Sequence, residues 1–440
     1  MPRRGRGQDD EERPGREVRR SRRGGRHARG DGEVPLQGFG RRGREDDSAG
    51  QAGLPGEGRS RWHIGGGDKA VRVFISAVDP SGDEYAAILG QVLADAGGAR
   101  VLAVGGDAVE RAGFEVLEKL SSFSAVGLWE ALSSLPRFVR SFSRVVDGVR
   151  SFGPRAVVLV DGPEFNLRLF RALAGKLRGV KFFYLAPPAV WAWRRGRIRA
   201  LREMDGVFPL FPFEHRLLSQ EGVRSFYFGH PLRDVLSAFE PDGSTVEILR
   251  GLRRSGKKLV GFFPGSRRSE VERLLPAMLE SARSLRDRFD VVFSIFDGLS
   301  PESKERARRA LEKEGFEHVR GAREILSFCD AGVAASGTIA VEAIWYGTPL
   351  AVGYRVSPLS ALAFKLLVRT RFVAMPNVLL GEEVFPELLQ RDFNPRRIAR
   401  ALDSLLGDRG DWVRERISAL REELFPKTSV LRRVSEVVLG

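Results

Sequence analysis

The chain has 440 residues, 42% of them hydrophobic and 29% charged, which is apolar material for two domains and extras at about 100–200 residues per domain. Its single cysteine, Cys329, excludes an intramolecular disulfide framework and fits a reducing compartment. A formal charge of +15 suits nucleic acid, anionic membrane or phosphorylated substrates without choosing among them, and no apolar stretch approaches the ~18–20 residues of a spanning helix.

Residues 1–67 are rich in Arg, Gly, Asp and Glu and have almost no apolar periodicity. Such a segment cannot bury enough surface to offset its ordering entropy, so a disordered basic tail is expected. Its start is basic with no apolar segment behind it, unlike a secretory signal. The tail is either an arm that touches RNA or anionic lipid, or inert. Its acidic residues offset most of its arginines, which favours the inert reading.

From Val71 an alternating rhythm begins. VRVFISA predicts a buried strand, the turn DPSGD follows, and EYAAILGQVLADAGG predicts a helix. RVLAVGG, AVVLVDGPEFN and KFFYLAPP predict further strands. Around Phe239 to Gly256 the chain turns polar, and a linker is expected there. KLVGFFPGS, VVFSIF, AGVAAS and PLAVGY then repeat the strand pattern with helices between. Strands alternating with helices imply an α/β fold of two facing Rossmann-like, doubly wound domains, with ligands in the cleft beyond the carboxyl ends of the strands. The expected division is a tail 1–67, an acceptor domain 68–240 and a donor domain 241–440, whose last helices are free to pack back on the first.

Several strand ends carry chemistry. Ser81, Gly82 and Asp83 follow the first strand, where they either wall a cleft or cap the next helix. Asp161 ends the AVVLV strand, where a carboxylate can take a proton from an acceptor hydroxyl, or else cap the helix after it. Trp191 and Trp193 lie beside Arg194, Arg195 and Arg197, a mixture suited to stacking on rings and to phosphate. His230, in Gly229-His230-Pro231, can donate to a phosphate or sugar; a lone histidine is more often structural. Gly265, Ser266 and Arg267 join a strand to a helix and offer amides and a fixed cation to a leaving diphosphate. Ser336, Gly337 and Thr338 open another helix, and Glu342 lies on the same helix face as Thr338, placed to accept both ribose hydroxyls or to complete a capping box. No Asp-x-Asp, His/Cys cluster or HExxH stands in the chain, so no metal site and no cofactor is expected. Leu128, Trp129, Leu132, Leu135 and Val139 recur at helical spacing, as a core stripe or as an exposed patch for acyl chains at a membrane.

In order, SGD, GLWEALSSLPR, DGPEFNLRL, PPAVWAWR, PFEHRLLSQEGV, GHPL, PGSRRSEVERLLP, ASGTIAVEAIWYGTP, YRVSPLS and MPNVLLGEEVFPELLQ resemble the lipid-A-disaccharide synthase family from about Val71 to about Leu406. The resemblance implies a GT-B glycosyltransferase. Its donor would be UDP-2,3-diacylglucosamine and its acceptor 2,3-diacylglucosamine 1-phosphate. The products would be the β-1,6 disaccharide 1-phosphate and UDP, with inversion. It implies Asp161 as the base, with Asp79 the second catalytic carboxylate. Arg267, the Ser336–Glu342 helix and Asn377 would bind the nucleotide, and the Leu128–Val139 stretch would meet an anionic membrane. The expected location is the cytoplasmic face of the inner membrane, peripherally bound. No nucleic-acid partner is expected, and a homo-oligomer is left open. Another GT-B UDP-sugar transferase or a UDP-sugar epimerase would share the fold; an RNA- or lipid-binding protein without catalysis is supported only by the tail. The chain departs from the family pattern at Val78-Asp79, where Gly-Glu is usual, at Gly162 for Ala, at Glu164 for Asp, and at Ala86 for Gly.

Overall fold

A computed structural model describes residues 70–119, 128–356 and 370–440, and the side chains of 128–137 are not among those described. The tail 1–67 therefore lies outside the described residues, as do the side chains of Leu128, Trp129, Leu132 and Leu135.

Two parallel six-stranded sheets organise the described chain. The first holds β1 (Arg72–Ala77), β2 (Arg100–Gly105), β3 (Glu115–Lys119), β4 (Ala156–Val160), β5 (Lys181–Leu185) and β6 (Gly206–Phe208). The second holds β7 (Leu259–Phe263), β8 (Asp290–Ser294), β9 (Glu317–Val319), β10 (Ala331–Ala335), β11 (Leu350–Tyr354) and β12 (Glu387–Leu389). Their orders are β3-β2-β1-β4-β5-β6 and β12-β11-β10-β7-β8-β9. Read in opposite senses these are one topology: each half starts in the middle of its sheet and builds outward, first to one side and then to the other. The central strands β1, β4, β7 and β10 are apolar runs with every residue but Arg72 buried, because helices cover both faces of a parallel sheet. The expected doubly wound α/β architecture in two halves is what the chain adopts.

The sequence pattern passed over β3, β6, β9 and β12. β6, β9 and β12 have three residues each, and EVLEK and EHV are punctuated by charge, since these two outer strands leave residues exposed. The polar stretch expected as a linker holds a helix. Gly243–Arg253 is a helix, capped by Asp242, whose Oδ2 accepts from Thr245 N at 2.8 Å, and it buries Thr245 and Leu249. One buried face and a good cap suffice there, where the composition read as loop.

The chain ends on its first half. Leu424 O accepts from His230 N at 2.7 Å, and Asp234 Oδ2 accepts from Leu431 N at 2.7 Å. In the last helix, Val430–Leu439, the Leu439 side chain occupies the space where a Cβ on Gly97 would stand. No helix among the described residues is long and apolar enough to cross a membrane.

Candidate active site

In a doubly wound sheet the loops after the two strands flanking the reversal of order diverge and leave a crevice. In the first half those strands are β1 and β4, and their loops carry Asp79 and Asp161. In the second they are β7 and β10, followed by Gly265–Arg267 and Ser336–Thr338.

Asp161 sits on strained backbone, with φ of 50°, and Gly162 after it also has φ of 50°. Two successive left-handed residues cost energy for a side-chain-bearing residue, so something must hold them. Asn166, fully buried on the first turn of the helix Pro163–Ala174, does so. Its Nδ2 donates to Asp161 O at 2.7 Å, Val160 O at 3.1 Å and Ser76 O at 3.2 Å, while its Oδ1 accepts from Ser76 Oγ at 2.7 Å. The Tyr184 hydroxyl also donates to Asp161 O, at 2.7 Å. The carboxylate itself accepts from Gly162 N at 2.8 Å and from Ser81 Oγ at 3.4 Å. Gly82 lets the first helix approach: a Cβ there would lie 3.3 Å from Asp161 Cβ.

Burial pushes the Asp161 carboxyl up to about 6, the negative charge of Asp79 adds to this, and the Gly162 amide, Ser81 and Arg267 oppose it. Asp79 is raised too, by burial, against the pull of Arg267 and the Gly162 amide. Arg267 belongs to the other half, so its charge reaches both carboxylates across the cleft. The Tyr85 phenol feels Asp161, Glu84, Glu342 and Arg323 together; it is raised first by burial and then by the three carboxylates. Asp79, Ser81, Gly82, Asp161 and Arg267 thus lie near one another, and Glu342 is linked to them through Tyr85.

The two anion loops differ from each other. The amides of Ser266 and Arg267 are not bare: both donate to Glu270 Oε2, at 3.0 and 3.2 Å, in a capping arrangement that also takes Arg267 Nη1 to Glu270 Oε1 at 3.1 Å. Gly265, with φ of 115°, packs against Ala335 and Glu270, where a Cβ would stand 3.1 Å from Ala335 Cβ and closer still to Glu270. Around Gly337, by contrast, a Cβ would meet nothing within 4 Å, so the Ser336–Thr338 turn stands open at the start of the helix Ile339–Tyr346.

Other expected site residues serve different bonds. Asp83 accepts from Gly106 N at 2.6 Å and Ala108 N at 2.8 Å, and so caps the short helix Asp107–Arg111. Trp191 donates to buried Glu214 at 2.8 Å, and burial raises that carboxyl to about 7. Trp193 is exposed, with the Arg194 and Arg197 guanidinium carbons 4.3 and 5.3 Å from its ring centroid, and both arginines pair with Glu164. His230 is buried among Tyr85, Phe211 and Phe425; burial lowers it to about 3, and its Nδ1 accepts from Leu232 N. Asn377 is fully buried and spends its amide on Phe385 O, Glu387 Oε1, Val384 N and Phe385 N. Val139 is exposed on the helix Leu128–Phe152. Among the described residues no group of three or more His, Cys, Asp or Glu could hold a metal ion.

Three contributors were not singled out from sequence. Asn166 stands five residues after Asp161, so its helix position was a usable signal. Tyr184 and Arg323 act over 23 and 239 positions, and no local pattern reports that.

Residues 73–427 match the family model described as "Lipid-A-disaccharide synthetase". The chain belongs to the lipid-A-disaccharide synthase family. The synthase of Syntrophus aciditrophicus is 35% identical over 360 residues, covering 80% of this chain and 93% of that protein. That of Geobacter sulfurreducens is 32% identical over 375 residues, covering 84% and 96%. As a member of the lipid-A-disaccharide synthase family the chain is a glycosyltransferase, and its fold is GT-B. Solved structures of the same fold include the spinosyn forosaminyltransferase SpnP, with TM-score 0.54 and 15% identity, covering 84% of this chain and all of that one. The UDP-GlcNAc 2-epimerase of Neisseria meningitidis has TM-score 0.54 and 12% identity, covering 84% and 98%. For a lipid-A-disaccharide synthase, the pair of facing loops described above is where chemistry is to be sought.

Proposed function

We propose that the chain transfers 2,3-diacylglucosamine from UDP to the 6-hydroxyl of 2,3-diacylglucosamine 1-phosphate, forming the β-1,6 disaccharide 1-phosphate and UDP. The observation that carries this reading is a carboxylate of raised basicity, Asp161, facing the Arg267 cation of the other half. A base works best when its pKa approaches the working pH, and burial plus the Asp79 charge bring Asp161 toward it.

Asp161 takes the proton of the acceptor hydroxyl as that oxygen attacks the anomeric carbon. The bond from that carbon to the β-phosphate oxygen breaks on the opposite face, and its electron pair leaves with UDP. One displacement inverts the anomeric centre. Arg267 and the amides of Gly337 and Thr338 take the charge that grows on the diphosphate. Glu342 accepts the ribose hydroxyls. The exposed Val139 and the helix that bears it meet the acyl chains at an anionic membrane surface, on the cytoplasmic face of the inner membrane.

The test is mass spectrometry of the product formed by the full chain from purified acylated donor and acceptor. Tetra-acyl disaccharide 1-phosphate with one equivalent of UDP is expected. UDP release without acceptor, or no disaccharide, overturns the reading.

A further inference from the structure

One guanidinium joins the two halves beside the cleft. Arg323 lies in the helix Ala322–Phe328 of the second half. Its Nε donates to Glu342 Oε1 at 2.9 Å, and its Nη2 donates to Glu84 Oε2 at 2.8 Å. Glu84 belongs to the first half, on the helix Pro80–Gly97 that also carries Ser81. The same cation stands 5.3 Å from the centroid of Phe239, in the stretch between the two sheets. The side chain of Arg323 is 17% exposed and that of Glu342 11%, against 37% for Glu84, so the Arg323–Glu342 end of the network is largely desolvated.

Desolvation decides what the arginine does. A buried carboxylate next to another carboxylate favours its neutral form. Burial raises Glu342 and the Glu84 charge raises it further, while Arg323 pulls it down. Without the cation, Glu342 and Glu84 would face each other as like charges in a poorly solvated space. The planar fork of arginine holds both carboxylates in one fixed geometry, which the compact ammonium of a lysine does not reproduce. Among the described residues only Arg323 donates to the Glu342 carboxylate, and it uses Oε1. No donor among the described residues reaches Oε2.

We infer that Arg323 is a positioning residue for the nucleotide donor: it fixes the Glu342 carboxylate with one oxygen turned to the ribose and, through Glu84, ties the donor helix to the acceptor half. The inference rests on reading Glu342 as the ribose acceptor. Arg323 itself touches no substrate in this scheme. Donor affinity and the seating of the two halves then depend on one cation, and a donor held by Glu342 meets a site already joined to the helix beside Asp161.

The experiment is calorimetric titration of UDP into the full chain, in a double-mutant cycle between Arg323→Met and Glu342→Gln. Arg323→Met is expected to weaken UDP at least about tenfold alone, and by less than about twofold once Glu342 is already Gln, since contacting residues that act through one another are not additive. Arg323→Lys should recover part of the loss. Donor KM should rise more than kcat falls, which a general loss of folded protein would not produce. If the single substitution does not fold, Glu84→Gln keeps the Arg323–Glu342 pair and should weaken UDP by a smaller factor; unchanged affinity there overturns the cross-half tie. Wild-type chain that binds no UDP overturns the functional reading and this inference with it. Wild-type chain that binds UDP, with a penalty for Arg323→Met that is absent or equal in both backgrounds, overturns this inference alone.

Discussion

The two halves share a strand order and differ in what their central loops hold. After β1 and β4 the loops are half-buried, tightly packed and acidic. Asp161 is held on left-handed backbone by Asn166 and Tyr184, and its carboxyl is pushed up to about 6. After β7 and β10 the loops are open and cationic: the Arg267 side chain is 75% exposed, and Gly337 has clear space around it. Topology therefore fixes where a crevice forms, while burial and charge decide which half can remove a proton and which can receive a diphosphate.

Removing one member of each half tests that division. The largest effect is expected for Asp161→Asn, a fall in kcat of about 10²–10⁴-fold with UDP affinity unchanged, measured by turnover and titration side by side. Unchanged turnover would remove Asp161 as the base. Arg267→Ala should cost about 10²-fold in kcat through lost stabilisation of the leaving diphosphate. It should also move the acid limb of the pH profile upward, since Arg267 lowers Asp161. A rate loss with an unmoved limb would mean that the cation does not reach across.

A third test concerns why the acidic half is so tightly packed. A Cβ on Gly162 would lie 2.0 Å from Val78 Cγ2, so only glycine fits beside this valine. These are two of the positions at which the chain departs from the family's usual Gly and Ala, and the structure makes them the two sides of one contact. Gly162→Ala should destabilise by about 1–3 kcal/mol through overpacking, read as a lower Tm. The pair Val78→Gly with Gly162→Ala should recover part of it, since the positive φ at Gly162 still strains an alanine, and a double variant no more stable than the single one would break the link.

The smallest effect is a shift of a titration. The working base is the ionised Asp161, so kcat/KM should fall as pH drops through about 6. Asp79 contributes negative charge that raises this value, so Asp79→Asn should move the limb to lower pH. A limb that stays or rises would show that the two carboxylates do not act on each other; in the wild type the limb belongs to the pair rather than to one residue.

Much of the fold was legible because buried parallel strands are unbroken apolar runs ended by polar turns, as in AVVLV followed by Asp161 and AGVAA followed by Ser336. What escaped was marked by short length or charge: EVLEK, EHV and the capped helix Gly243–Arg253. At the site, position at a strand end marked Asp161 and Arg267, and helical spacing from Thr338 marked Glu342. The same logic did not reveal that Glu270 covers the Ser266 and Arg267 amides, since a capping carboxylate and a bound anion ask the same thing of a helix start.

The sequence by itself determined the α/β class, the two sheets and the residues placed at the four central strand ends, because hydrophobic periodicity and turn chemistry act over a few residues. Only the tertiary structure decided that Asp161 is a raised carboxylate, that Tyr184 and Asn166 hold its backbone, and that Arg323 joins Glu84 to Glu342. Desolvation and charge–charge interaction depend on what lies within a few ångströms in space, and those neighbours are up to 239 positions apart in the chain.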